Sequence, residues 1–327
     1  MQRRFFLRLG IAAASLAAIR SRAQGKYPER AVRLVVPFPP GGDTDVAARL
    51  WARYTAPLLF PGGNGSVVVE NRAGAGGAIG AAEVARAPAD GYTLLLGTTG
   101  TQIVSPAVAE NPPYDPLRDF ALVGIVSMLP TCIVVGPALG VSSLGALVRL
   151  IKANPGKYSY GSAGPGTLSN LAGELFKHQA GGLDMPHVPY KGGGPAMQDL
   201  IGGHIPVIMP VFSSGVLAQH RAGRALIVGI NSEARLKAAP DIPTSAEGGM
   251  PEMQAQVFDA IFAPAGTDAA ALGVLRAASA RALRDPALLQ DLAKTGAEPF
   301  ARADAEGYIR EEAARWTAVI KAIGFRT

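Results

Sequence analysis

Three glycine-rich turns carry the residue types best suited to chemistry in this sequence. The first reads Pro37-Phe38-Pro39-Pro40-Gly41-Gly42-Asp43-Thr44, the second Gly97-Thr98-Thr99-Gly100-Thr101, and the third Gly161-Ser162-Ala163-Gly164-Pro165-Gly166-Thr167. Each follows an apolar run that reads as a strand, and the first and third each open a helical pattern. Glycine lets a ligand approach the backbone closely. Unpaired N–H groups and the dipole at a helix N-terminus attract an anion. Thr44, Thr98, Thr99, Ser162 and Thr167 add hydroxyl donors. None of these turns contains Lys or Arg, so a carboxylate there would be held by neutral donors and water, which suits a ligand that must later be released.

Catalytic and metal motifs are weak by comparison. The four histidines, His178, His187, His204 and His220, form no HExxH and no Cys/His cluster, so no metal site is expected. There is no GxxxxGK[ST]. Ile79 stands where the third glycine of a dinucleotide fingerprint would be, and Gly161-Ser162-Ala163-Gly164 only superficially resembles a GxSxG elbow. No cofactor is expected. Asp43 and Asp45 lie two apart at a helix start, where capping explains them better than acid–base catalysis. Asp259 sits in a segment that reads as a strand. Facing a cleft, it would repel a second carboxylate or pair with an ammonium; facing solvent, it would not affect ligand choice.

The elements that position these turns follow from hydrophobic patterning. Continuous apolar runs such as Val32–Val36 read as buried parallel strands. Strand–helix–strand order then recurs in two series, which predicts two α/β units with helices on both faces of each sheet. The chain passes from one to the other near Leu129-Pro130, and Gln254–Ala263 reads as a strand returning to the first unit. Ligands of open α/β sheets bind at the carboxyl ends of strands, where all three turns lie. Ile309, Ala313, Trp316, Ile320 and Ile323 fall on one helix face, expected to pack on the first unit. The expected division is a leader over 1–23, lobe one over 24–127 and 253–327, and lobe two over 128–252.

The N-terminus reads as an export signal. Arg3, Arg4 and Arg8 precede an apolar stretch of about 11 residues, too short to span a bilayer, and Ser21-Arg22-Ala23 resembles a cleavage site. Arg3-Arg4-Phe5-Phe6-Leu7-Arg8 fits the twin-arginine pattern. A periplasmic chain cut near Ala23 is expected. The net charge of +6 includes five arginines from this leader, so the remainder carries about +1 and gives no support for nucleic-acid binding. The single Cys132 lies in an apolar run and reads as a small buried hydrophobe. A monomer is the default.

Several blocks resemble a known family, the tripartite tricarboxylate transporter substrate-binding proteins, TctC-like or Bug proteins. They include VRLVVPFPPGGDTDVAARL (32–50), VVVENRAGAGGAIGA (67–81), ADGYTLLLGTTGT (89–101), ANPGKYSYGSAGPGTLSNLAGELFK (153–177), HVPYKGGGPAMQDLIGG (187–203) and FAPAGT (262–267). The resemblance covers nearly all of the chain beyond the leader, in order. It implies an α/β periplasmic binding protein of the type II, Venus-flytrap class, with two crossover segments and no enzymatic activity. It also implies a small organic acid or amino acid ligand and a partner that is either membrane transporter subunits or a sensor protein. Carried over by position, ligand contacts fall on Phe38, Pro39, Gly42, Asp43 and Thr44 in lobe one. In lobe two they fall on Ser162, Ala163, Gly164, Gly166 and Thr167, with Tyr190 as a cleft wall. Departures from the family pattern stand at Asn170, Pro210-Val211-Phe212 and Phe258-Asp259. The competing enzymatic reading makes Ser162 a hydrolase nucleophile, which requires a distant histidine folded beside it.

Overall fold

A computed structural model describes residues 27–326. The expected export signal lies outside the described residues. Among those described, no helix is long and apolar enough to cross a membrane.

The first sheet has the order β2-β1-β3-β10-β4. Its strands are β1 (Val32–Val36), β2 (Val67–Asn71), β3 (Thr93–Thr98), β4 (Phe120–Pro130) and β10 (Gln256–Pro264). β1 pairs in parallel with β2 and β3, and β10 runs antiparallel between β3 and β4. Both faces are covered, which is why these strands read as unbroken apolar runs. Leu34, Val36, Leu94 and Leu96 point to a core with Trp51, Leu275 and Leu288. Val35 and Leu95 point to the opposite core. On the first face lie α1 (Asp43–Leu59), α8 (Ala269–Ala282) and α9 (Pro286–Thr295), with Trp51 Nε1 donating to Ser279 Oγ at 2.9 Å. The second face carries α2 (Ala78–Ala85), α3 (Ser105–Val108) and α10 (Ala305–Ile323).

The second sheet has the order β7-β6-β8-β5-β9. It comprises β5 (Cys132–Val135), β6 (Tyr160–Ser162), β7 (His187–Pro189), β8 (Val207–Ile208) and β9 (Leu226–Ile230). Its helices are α4 (Leu144–Lys152), α5 (Leu168–Gln179), α6 (Gly193–Ile201) and α7 (Ser214–Arg221). Cys132 is fully buried in this sheet.

The chain leaves the first sheet at Pro130 and enters the second at Cys132. It returns through Ala255 into β10. The two crossings are tied together. Thr131 N–H donates to Ala255 O at 2.7 Å, Asn231 N–H to Thr131 O at 2.9 Å, and Ala255 N–H to Asn231 O at 3.0 Å. The Asn231 side-chain amide adds a bond to Thr131 Oγ1 at 2.8 Å.

The C-terminal helix differs from expectation in one respect. Ile309, Trp316 and Ile320 are buried as the spacing predicts. However, α10 packs on α5 of the second lobe as well as on β4 and residues 100–108 of the first. One apolar cluster therefore runs through both lobes on this side, from Leu95 and Phe258 through Trp316 to Leu171 and Phe176.

Candidate functional site

The carboxyl ends of the strands of both sheets face one cavity of about 340 Å³. Lobe one contributes Phe38 to Thr44, Thr98, Gly100 and Val257. Lobe two contributes Ala163, Thr167 to Ser169, Lys191 to Pro195, Met197, Gln198, Pro210, Val211, and Ser213 to Gln219 in part. Of the residues singled out from sequence, Phe38, Pro39, Gly42, Asp43, Thr44, Thr98, Ala163 and Thr167 are brought together here.

The first turn is held from below by Asp45. Gly41 N–H donates to Asp45 Oδ2 at 2.9 Å, Arg49 grips both carboxylate oxygens at 3.0 Å, and the Asn71 amide bridges Asp45 Oδ1 at 2.9 Å and Phe38 O at 3.0 Å. Burial disfavours the Asp45 charge, but Arg49, the Gly41 N–H and Asn71 outweigh it and hold the carboxyl below its usual range. The N-cap of α1 is Gly42, not Asp43 or Thr44. Asp43 is the first helical residue and lines the cavity, and burial pushes its carboxyl pKa above the usual value. Replacing Asp45 by alanine would strand the Gly41 N–H and loosen the turn. We expect a loss of about 2 kcal/mol and a melting temperature lower by several degrees, measured by calorimetry.

The third turn is self-contained. Gly164 N–H donates to Ser162 Oγ at 3.1 Å, Ala163 N–H to Ser169 Oγ at 3.1 Å, and Gly166 N–H to Asn170 Oδ1 at 3.4 Å. Thr167 caps α5, accepting from Asn170 N–H and donating to Gly164 O at 2.7 Å. These donors, read from sequence as available to a ligand, are therefore engaged within the turn. Ser162, Gly164 and Gly166 stand behind the cavity wall rather than along it.

Three other expected residues also lie off the lining. Thr99 is spent on β10, accepting from Phe258 N–H at 2.9 Å. Tyr190 packs its ring over Gly161, where a Cβ would sit 2.9 Å from the ring, and donates to Asp199 Oδ2 at 2.8 Å. Asp259 is completely buried and opposite Thr98 in the sheet. Ser127 Oγ donates to its Oδ2 at 3.0 Å, and its Oδ1 has no partner. Burial and the nearby Asp43 charge push its pKa up to about 8.

Ser162 does find a histidine. His187 Nε2 lies 2.7 Å from its Oγ because β6 and β7 pair in parallel with Tyr160 opposite His187. The imidazole stacks on Tyr160, and burial holds its pKa below the usual value. The pair sits beneath the turn, with Ser162 1% exposed, and braces it.

Sequence reasoning passed over the loop Lys191-Gly192-Gly193-Gly194 as a lining element. It is a further glycine-rich turn between a strand and a helix, and that pattern was its visible signal. Gly192 caps α6 with φ of 132° and no side-chain cap bond, so the first N–H groups of this helix remain free to meet a ligand. Lys191 and Asp43 are the two charged side chains lining the cavity among the described residues.

Comparison with known proteins places this geometry. The profile of the tripartite tricarboxylate transporter family receptor, TctC, matches residues 63–325. Protein BugT of Bordetella pertussis is 38% identical over 301 residues, covering 91% of this chain and 90% of that one. The structure of the periplasmic binding protein BugD superposes with a TM-score of 0.84 at 32% identity, covering 92% of this chain and 99% of that chain. An R. palustris protein solved with adipate gives 0.84 at 32% identity, covering 91% and 98%. The family is one of substrate-binding receptors rather than enzymes. By sequence over most of its length and by its two-lobed α/β fold, this chain belongs to the tripartite tricarboxylate transporter receptor (TctC/Bug) family.

Proposed function

We propose that this chain is an exported receptor that captures a small carboxylate between its lobes and delivers it to membrane subunits of a tripartite tricarboxylate-type transporter. In this reading residues 1–23 are a leader of the twin-arginine type, removed near Ala23. Residues 24–127 with 253–327 form one lobe, and 128–252 the other. The mature receptor acts as a monomer in the periplasm. The observation that carries the reading is the shared cavity at the strand ends of two sheets, bordered by helix N-termini from both lobes. Such sites bind anions through backbone N–H groups. The adipate held by a relative of the same fold supports a carboxylate in particular.

A thermal-shift screen of di- and tricarboxylates, amino acids and aromatic acids tests it. A ligand bound by the native state alone at about 100 times its Kd stabilises by about 2.7 kcal/mol, so a matching acid should raise the melting temperature by several degrees. A panel without any shift would remove the reading.

A further inference from the structure

His187 reaches the cavity through two hydroxyls. Its strand β7 packs on β6 and α5. From β6 come Ser162, whose Oγ lies 2.7 Å from Nε2, and Tyr160, whose ring stacks on the imidazole. From α5 come Glu174, whose charge favours the imidazolium, and Lys177, which opposes it and is itself paired to Glu174 at 2.8 Å. The imidazole is half-buried, so solvent protons reach it.

The two charge states of this ring ask opposite things of Ser162. With the ring neutral and its hydrogen on Nδ1, Nε2 accepts and the Ser162 hydroxyl donates to it. With the ring charged, both nitrogens carry hydrogen. Nε2 then donates to Ser162 Oγ, and the serine hydrogen needs another acceptor. Gly164 O is in reach at 3.3 Å. That oxygen already receives the Thr167 hydroxyl at 2.7 Å and the Thr167 N–H at 3.4 Å. A carbonyl has two lone pairs, so three donors crowd it, and of the two from Thr167 the hydroxyl is the one that can rotate away. Thr167 lines the cavity. Its oxygen goes on accepting from Asn170 N–H, so the cap of α5 survives the rotation.

We propose that His187 is a positioning residue for the cleft: on taking up a proton it turns the Ser162 hydroxyl from Nε2 to Gly164 O and releases the Thr167 hydroxyl hydrogen toward the cavity. This rests on the reading that the cleft takes a carboxylate, to which the freed hydroxyl is a donor. By linkage, proton and carboxylate then favour each other's binding, and affinity rises as pH falls through the His187 midpoint.

Carbon-detected NMR on the purified, ligand-free protein tests the relay, over a range from about pH 8 to about pH 5 that spans imidazole titration. The His187 ring signal is identified by its loss in His187→Gln. In the unaltered protein the Gly164 carbonyl carbon should shift with the same midpoint as the His187 ring. Ser162→Ala should abolish that shift while the ring still titrates. Thr167→Val removes the competitor for Gly164 O, so the His187 midpoint should rise by roughly half a pH unit, the size of one neutral hydrogen bond. A Gly164 carbonyl that stays still while His187 titrates would overturn the proposal. A response that persists in Ser162→Ala would do the same, since it would then be charge acting through space. An unmoved midpoint in Thr167→Val would also overturn it. The Gly164 signal of the unaltered protein decides the matter even if a variant fails to fold. These readouts need no ligand, so they stand apart from whether any acid binds the cleft.

Discussion

Gly76→Ala is expected to prop the lobes apart and weaken ligand binding by about tenfold or more. Gly76 lies in the turn between β2 and α2 with φ of +61°, on lobe one. A Cβ built there collides with the carbonyl oxygen of Pro165, in the 161–167 turn of lobe two. The neighbouring Gly166 is also close, with room for a Cβ only 3.3 Å from Ser105 Cα. The observed packing of the two lobes therefore requires a bare backbone at Gly76. Alanine adds two penalties: about 1 kcal/mol for the left-handed conformation, and an interlobe clash relieved only by opening. Apparent affinity falls in proportion to the binding-competent fraction, so shifting that fraction below about a tenth gives the stated loss. Calorimetry would measure it, and small-angle scattering would register a larger radius of gyration with ligand present. Because the clash falls between lobes, each lobe should keep its secondary structure. Unaltered affinity would mean that the ligand-bound state does not press these two turns together.

Trp316→Ala carries the largest expected cost in stability. The indole is fully buried on α10, with Nε1 donating to Glu312 Oε2 at 3.1 Å and the Arg315 guanidinium 4.3 Å above the ring. It belongs to the apolar cluster that continues from lobe one into lobe two. Truncating a buried tryptophan costs about 3–5 kcal/mol, from lost transfer energy and the cavity left behind. For a protein of this size each kcal/mol lowers the melting temperature by about 2–4 °C, so a fall near 10 °C or more is expected by scanning calorimetry. Ile320→Ala, with a smaller side chain in the same cluster, should cost less. A drop of only a degree or two for Trp316→Ala would show that α10 contributes little to the fold.

Most of the scaffold was legible because its strands are buried on both faces. Runs such as Val32–Val36 and Cys132–Val135 announce themselves without alternation. The position of Asp259 was not legible, and the reason is local. β10 changes register against β4 between Asp259 and Ala260 and again between Ile261 and Phe262. Across such bulges a period of two no longer reports the face. Asp43 was read as a cap because Asp is favoured there. The turn at Gly41, with φ of +84°, and the bond from Gly41 N–H to Asp45 instead set the helix to begin one residue earlier, with Gly42 as its cap. The saturation of the third turn depends on Ser169 and Asn170 folding back onto it, and the Ser162–His187 contact on the parallel register of β6 and β7. Neither follows from spacing along the chain. Lys191 lay in plain view, but its place on the cavity comes from how the lobes face each other.

The bonds joining Thr131, Asn231 and Ala255 have a mechanical result. Two separate strands of connecting chain would permit sliding, twisting and opening independently. Stitched backbone to backbone, they behave as a single axle, and the lobes are left with essentially one degree of freedom. Any change in how the lobes face each other would then reduce to a single coordinate, the angle between them.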